Sequence, residues 1–236
     1  MEKINLLQID PRGYDHSVVA LPKILFWFRN EEAFWEHQGD PSPDKPHAEL
    51  VSGLCSGGYF DVPRVLRYPN VAEILGRQLG RKLRKAGVGQ VDWVVSSAYS
   101  AITFGHEVAK ELGAIFQNTE KDPADSKKQL WQRMAIPAGA NVLQAEELMT
   151  TTGTAEQVRQ AIEKGNPYPV NFLSVIGALI LRPEKLLSEY GGRKIVALVE
   201  KEIRNFDPKK NECPHCAVGS PRYRPKTHWA ELTGKR

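Results

Sequence analysis

Only three cysteines occur in the 236 residues, Cys55, Cys213 and Cys216. So few thiols exclude a disulfide scaffold and point to a reducing compartment. No apolar run is long enough to cross a bilayer. The longest, FLSVIGALIL at residues 172–181, suits a buried strand. The start of the chain lacks a basic stretch followed by an apolar run, so no signal peptide and no membrane partner are expected. Basic residues do not cluster among aromatics, so no nucleic-acid partner is expected either, despite a net charge of +4. The sequence also lacks an internal repeat, a Gly-Lys-Ser/Thr phosphate loop, and a Ser/His/Asp or Cys/His set for covalent catalysis. What is present, 41% hydrophobic and 25% charged residues at a mean hydropathy of −0.41, fits a soluble cytoplasmic domain with appendages.

The order of segments predicts an α/β fold: a parallel sheet flanked by helices, with an N-terminal cap or hood and a short C-terminal tail. Residues 1–48, rich in Trp, Phe, Pro and His, read as the cap, a short helix followed by a loop. Residues 49–205 form the core and 206–236 a cysteine-containing tail. Within the core, ELVSGLCSGGYFDV reads as a hairpin. A helix follows from Pro69-Asn70 to Gly87, with Asn70 as its N-cap, Glu73 three residues on, and an apolar face of Val71, Ile74, Leu75, Leu79 and Leu83. Strands are expected at 91–95, 114–116, 141–145, 171–181 and 194–200, with helices at 101–112 and 154–164. Between them, Asn118 to Arg133 is a polar stretch without a regular pattern.

The most informative segment is NVLQAEELMTTTGTAEQVRQAI, residues 141–162. An apolar strand runs into Glu146 and Glu147, then into a turn of Thr150, Thr151, Thr152, Gly153 and Thr154 that opens a helix. Backbone N–H groups at a helix N-terminus cradle phosphate, and threonine hydroxyls add donors. Carboxylates beside such a cradle make sense as acceptors for the vicinal hydroxyls of a ribose. The segment therefore reads as a grip for ribose 5-phosphate. The plain alternative is a strand end followed by a polar helix start.

This pattern resembles the phosphoribosyl-pyrophosphate (PRPP) motif of type I phosphoribosyltransferases, with Thr152 where glycine is usual. Four further segments, over roughly residues 48–200, resemble the orotate branch of that family. Ser52 to Phe60 resembles a hairpin whose aromatics, here Tyr59 and Phe60, line the base pocket; Val51 precedes it where some members have lysine. Ser97, Ala98 and Tyr99 match a pyrophosphate-binding loop, although no glycine occurs there before Gly105. Asn118–Arg133 matches a mobile loop that closes over PRPP. It supplies Lys121 as the first candidate for a catalytic cation, with Lys128 and Arg133 behind it and Lys127 adding charge. Arg182 matches an arginine that reads the orotate carboxylate, in a Leu181-Arg182 pair where the family has Asp-Arg.

The resemblance implies an enzyme that transfers phosphoribose from PRPP to orotate in pyrimidine nucleotide biosynthesis. Catalytic roles fall to Lys121, Lys128 and Glu147, with Mg²⁺ carried mainly by substrate oxygens and a homodimer as the assembly. Val51 and Leu181 keep another nucleobase open as acceptor, and a non-catalytic sensor of PRPP or nucleotide is the rival of a different class. Separately, Cys213-Pro214-His215-Cys216 has the spacing of a zinc knuckle. Cys213 and Cys216 would supply half a structural Zn²⁺ site, with His228 or a second subunit's pair completing it; a reduced surface pair is the alternative. Cys55 reads as a packing residue.

Overall fold

The computed structural model describes residues 4–125 and 128–234. Five strands build its central sheet: β1 (Trp93–Ser96), β2 (Ile115–Asn118), β3 (Asn141–Met149), β4 (Asn171–Leu181) and β5 (Lys194–Glu200). They lie in the order β5-β4-β3-β1-β2 and every pairing is parallel. Among the described residues four helices are longer than two turns: α1 (Leu21–Asn30), α2 (Pro69–Lys85), α3 (Ala101–Leu112) and α4 (Gly153–Gly165). A parallel sheet must bury both faces, and alternation along the strands shows how. Val94, Leu143 and Ala145 pack with α2 and α3. Trp93, Val95 and Val142 pack on the other face against Val158 and Ile162 of α4.

The helix α2 buries Val71, Ile74, Leu75, Leu79 and Leu83, the face its periodicity predicts. Its last turn carries Lys82, Arg84 and Lys85, which suits the negative end of the helix dipole. Its N-terminus differs from expectation. Tyr68 holds the cap position without a side-chain hydrogen bond, and Pro69 is the first helical residue. The Asn70 amide instead donates to the carbonyls of Leu6 (2.7 Å) and Ile9 (2.8 Å), tying down the N-terminal segment. Glu73 bonds to Arg77 rather than closing a capping box. Helices α2 and α3 touch closely because Gly76 and Gly80 face α3: a Cβ at Gly76 would stand 2.4 Å from that of Glu107.

Strand β3 runs four residues beyond the predicted end, so Glu146 and Glu147 lie within it. The 118–133 stretch is not irregular throughout. Glu120–Lys121 pairs with Gln129–Leu130 as a small antiparallel hairpin. Thr119 anchors its base by donating to Gln129 Oε1 (2.9 Å), and Trp131 is buried against the α4 face.

A second, four-stranded sheet sits apart from the first. Its strands run in the order Asn205–Phe206, Cys55–Ser56, His47–Glu49, Arg222–Tyr223. The expected hairpin forms between its two central strands, and Gly53, at φ 82°, allows the turn. The C-terminal segment therefore interleaves with residues of the N-terminal half. Phe34–Glu36 pairs with Gly58–Phe60 and joins this hood to α1.

Candidate active site

The chemistry-bearing residues follow the C-terminal ends of the central strands. Ser97, Ala98 and Tyr99 come after β1, Lys121 after β2, Glu146 to Thr154 at the end of β3, and Arg182 after β4. Open parallel sheets present their ligand crevice at this edge.

Alternate residues of a strand share a face, which puts Gln144 beside Glu146. Glu146 is 2% exposed and accepts hydrogen bonds from the Ser97 hydroxyl (2.6 Å) and the Gln144 amide (2.9 Å). Gln144 accepts in turn from Arg193 (3.2 Å), which also pairs with Glu156 of α4 at 3.5 Å. Burial pushes the Glu146 carboxyl up to about 7; the Ser97 hydrogen bond opposes this and the neighbouring Glu147 adds to it. Glu147 is also raised by burial but remains partly exposed. The paired acids of the sequence are thus unequal. One is locked to the loop after β1, and the other is open to a ligand.

The turn from Thr150 to Thr154 is exposed or partly exposed. Thr152 holds the cap position of α4 without a side-chain cap, and Thr151 Oγ1 receives only a long bond (3.4 Å) from the Gly153 N–H. The first N–H groups of α4 consequently face outward at the positive end of the helix dipole, an arrangement that takes an anion.

A cleft joins the loop after β1 to the 120–133 hairpin. Ala98, Tyr99 and Ile102 line one side, and Gln117, Asn118, Glu120, Lys121 and Arg133 the other. The Ala98–Tyr99 peptide is cis. Arg133 pairs with Glu120, and Lys128 pairs with Asp125 at 3.6 Å. Among the described residues Lys121 forms no ion pair; Lys127 lies outside the described residues.

On the hood side the two aromatics separate. Phe60 is 3% exposed and stacks on Phe34 (4.4 Å between centroids), with Phe28 edge-on at 5.5 Å. It is a core residue, which corrects the expectation that it lines a base pocket; on a strand it points away from the side of Tyr59. Tyr59 is half-buried against Trp229, and burial pushes its hydroxyl up to about 12. Arg182 is 3% exposed and donates to the Gly58 carbonyl (3.1 Å) and to Asn205 Oδ1 (3.4 Å), while its Nε has no partner. Burial lowers the pKa of this guanidinium, and the nearby Tyr59 opposes the shift. No carboxylate of the described residues pairs with it.

Cys213 and Cys216 meet two residues the sequence did not connect with them, His47 and Cys55. His228, the partner expected within the chain, lies elsewhere: it is exposed, bonds to Thr227 and stacks on Tyr223. The sequence reading also missed Gln144 and Arg193. A buried glutamine two residues before Glu146 on a strand was the available signal; Arg193, distant in sequence, offered none.

This combination of parallel sheet, acid pair, Thr/Gly turn at an open helix start and cation-lined cleft defines a type I phosphoribosyltransferase. The structure of Leishmania donovani UMP synthase shares the fold, with a TM-score of 0.54 at 15% identity over 77% of this chain and 36% of that one. No family model matches the sequence. Curated relatives do match it. An orotate phosphoribosyltransferase from a Nitratiruptor species is 31% identical over 77% of this chain and 91% of its own length. Those from Caldicellulosiruptor bescii (32%, over 76% and 87%) and Heliobacterium modesticaldum (30%, over 86% and 96%) are similar. The chain belongs to the orotate phosphoribosyltransferase family.

Proposed function

We propose that this chain transfers the phosphoribosyl group of PRPP to orotate, forming orotidine 5′-monophosphate and pyrophosphate in pyrimidine nucleotide biosynthesis. The observation that carries the reading is the convergence, at one sheet edge, of Glu147, the Thr150–Thr154 turn and the Ser97–Tyr99 loop. The name its relatives share favours orotate over other bases, and an enzyme over a sensor.

In this reading Thr150, Thr151, Thr152, Gly153 and Thr154 hold the 5-phosphate on the N–H groups of α4. Glu147 accepts a ribose hydroxyl. Glu146 acts through Ser97, holding the Ser97–Tyr99 loop at the strand end where its backbone can take the pyrophosphate. The reaction passes through a cationic ribose, so its demands are positioning and neutralisation of the departing pyrophosphate. Lys121 is the cation for that step, since Arg133 and Lys128 are engaged by Glu120 and Asp125. PRPP would carry Mg²⁺, which would add to the neutralisation of the pyrophosphate charge.

Arg182 reads the base. A buried guanidinium without a counter-charge is costly, and the orotate carboxylate would supply that charge. Tyr59, near Arg182, provides the flat wall. A homodimer in the cytoplasm completes the reading; for the described residues, no helix is long and apolar enough to cross a membrane. The test is incubation with PRPP, Mg²⁺ and a panel of bases. Consumption of orotate above all others is expected, and preference for a base without a carboxylate would overturn the assignment.

A further inference from the structure

The three cysteines, far apart in sequence, come together with one histidine. Cys55 Sγ lies 3.6 Å from Cys216 Sγ, and His47 Nε2 lies 3.5 Å from Cys216 Sγ and 3.8 Å from Cys213 Sγ. All four donor atoms lie within 4.8 Å of one another. A tetrahedral zinc with bonds of about 2.3 Å to sulfur and about 2.0 Å to nitrogen has edges of about 3.8 Å between sulfurs and about 3.5 Å between sulfur and nitrogen. The contacts observed already have that size.

The surroundings fit as well. His47 is fully buried, and its other ring nitrogen, Nδ1, lies 2.8 Å from Ser220 Oγ. That hydroxyl gives its own proton to the Lys45 carbonyl at 2.6 Å, so it accepts from Nδ1–H. The tautomer is thereby set, with the Nε2 lone pair aimed at the sulfurs, as the outer shell of a metal-bound histidine requires. Cys55 and Cys213 are buried as well, 0% and 2% exposed. His47 and Cys55 sit on the paired central strands of the hood sheet, and Cys213 and Cys216 on the segment between its two outer strands.

We propose that one Zn²⁺ binds here in a closed site formed by His47 Nε2 and the Sγ atoms of Cys55, Cys213 and Cys216. Three thiols lose their protons on binding, and the three thiolates with neutral His47 leave the centre with one net negative charge beside Arg222, a residue that also pairs with Glu49. Four protein ligands leave no position for water, so the metal is structural. It joins segments more than 150 residues apart and fixes the C-terminal segment against the hairpin that leads into Tyr59. A disulfide would engage two of the three sulfurs and leave the histidine lone pair unused.

The full chain, expressed without an affinity tag that binds metal, is assayed by elemental analysis. One zinc per chain is expected, released when an organomercurial titrates the thiols. Replacing zinc with Co²⁺ should give the intense visible bands of tetrahedral thiolate-bound cobalt, together with thiolate-to-metal charge transfer. Cys55→Ser and His47→Ala should lose most of the metal or the tetrahedral cobalt spectrum, while His228→Ala keeps both. Because the cobalt spectrum is read on the wild-type chain, variants that fail to fold do not block the test. Wild-type protein that stays metal-free after refolding with zinc, a cobalt spectrum of octahedral type, or full metal content in Cys55→Ser would overturn the proposal.

Discussion

Glu146 offers the sharpest test of the site, because its environment makes a quantitative statement. The carboxyl moves from its ordinary 4.5 to about 7, chiefly by burial. Each unit corresponds to about 1.4 kcal/mol, so holding the charged form in the fold costs on the order of 3 kcal/mol. The native state therefore keeps a proton that the unfolded state releases between pH 4.5 and 7. Stability from this group is present below 4.5 and is lost as pH rises through 7. Between pH 5 and pH 8 the loss is on the order of 2–3 kcal/mol. Other groups also titrate in this range, and a raw pH profile would mix them with Glu146. The Glu146→Gln variant isolates the carboxyl, since the shared background cancels in the difference. Denaturant unfolding of both proteins at pH 5 and pH 8 should show the variant gaining on the order of 2–3 kcal/mol on the wild type between those values. Its absolute stability at pH 5 should be close to that of the wild type, because the neutral carboxyl and the amide can each accept from Gln144 and donate to the Ser97 oxygen. A difference that does not change with pH would refute the burial argument, and a wild type that relatively gains would reverse its sign.

Three further outcomes are expected. If Lys121 neutralises the leaving group as proposed, Lys121→Ala should lower kcat by about tenfold or more while moving the KM for PRPP far less; steady-state kinetics decides, and an unchanged kcat would pass the role to Lys128 or Arg133. Arg182→Leu should severely impair use of orotate yet leave any weak activity with uracil nearly unchanged; equal losses on both would make Arg182 a support for the Gly58 carbonyl alone. Gly76→Ala should destabilise the fold by about 1–3 kcal/mol despite its better helix propensity, since the new methyl group meets the backbone of Glu107 at 2.8 Å; a rise in melting temperature would show that α2 and α3 separate freely.

The 141–162 segment was legible because its information is local. Strand, acids, turn and helix are consecutive, and each is fixed by short-range preferences such as apolar continuity and an open helix start. The same holds for the apolar face of α2 and for strands β4 and β5. Asn70 was misread for a related reason. Its sequence context favours capping, but the carbonyls of Leu6 and Ile9 compete for its amide, and they are neighbours only in the fold. Phe60 and Tyr59 adjoin in sequence and both suit an aromatic wall. The pleat sends them to opposite sides, so one ring joins the core and the other flanks Arg182.

By itself, then, the sequence determined the class of fold, the turn proposed to hold phosphate, and the positions of the candidate cations and acids. Only the tertiary structure decided which of these act together. It locked Glu146 to Ser97, engaged Arg133 with Glu120 while leaving Lys121 without an ion pair among the described residues, and brought His47 and Cys55 to the Cys213–Cys216 pair. Spacing along a chain reports contacts within a helix turn or a strand repeat. Partners 49 or 161 residues apart, as Glu146 is from Ser97 and Cys216 from Cys55, are set by strand order and sheet packing, which no local pattern encodes.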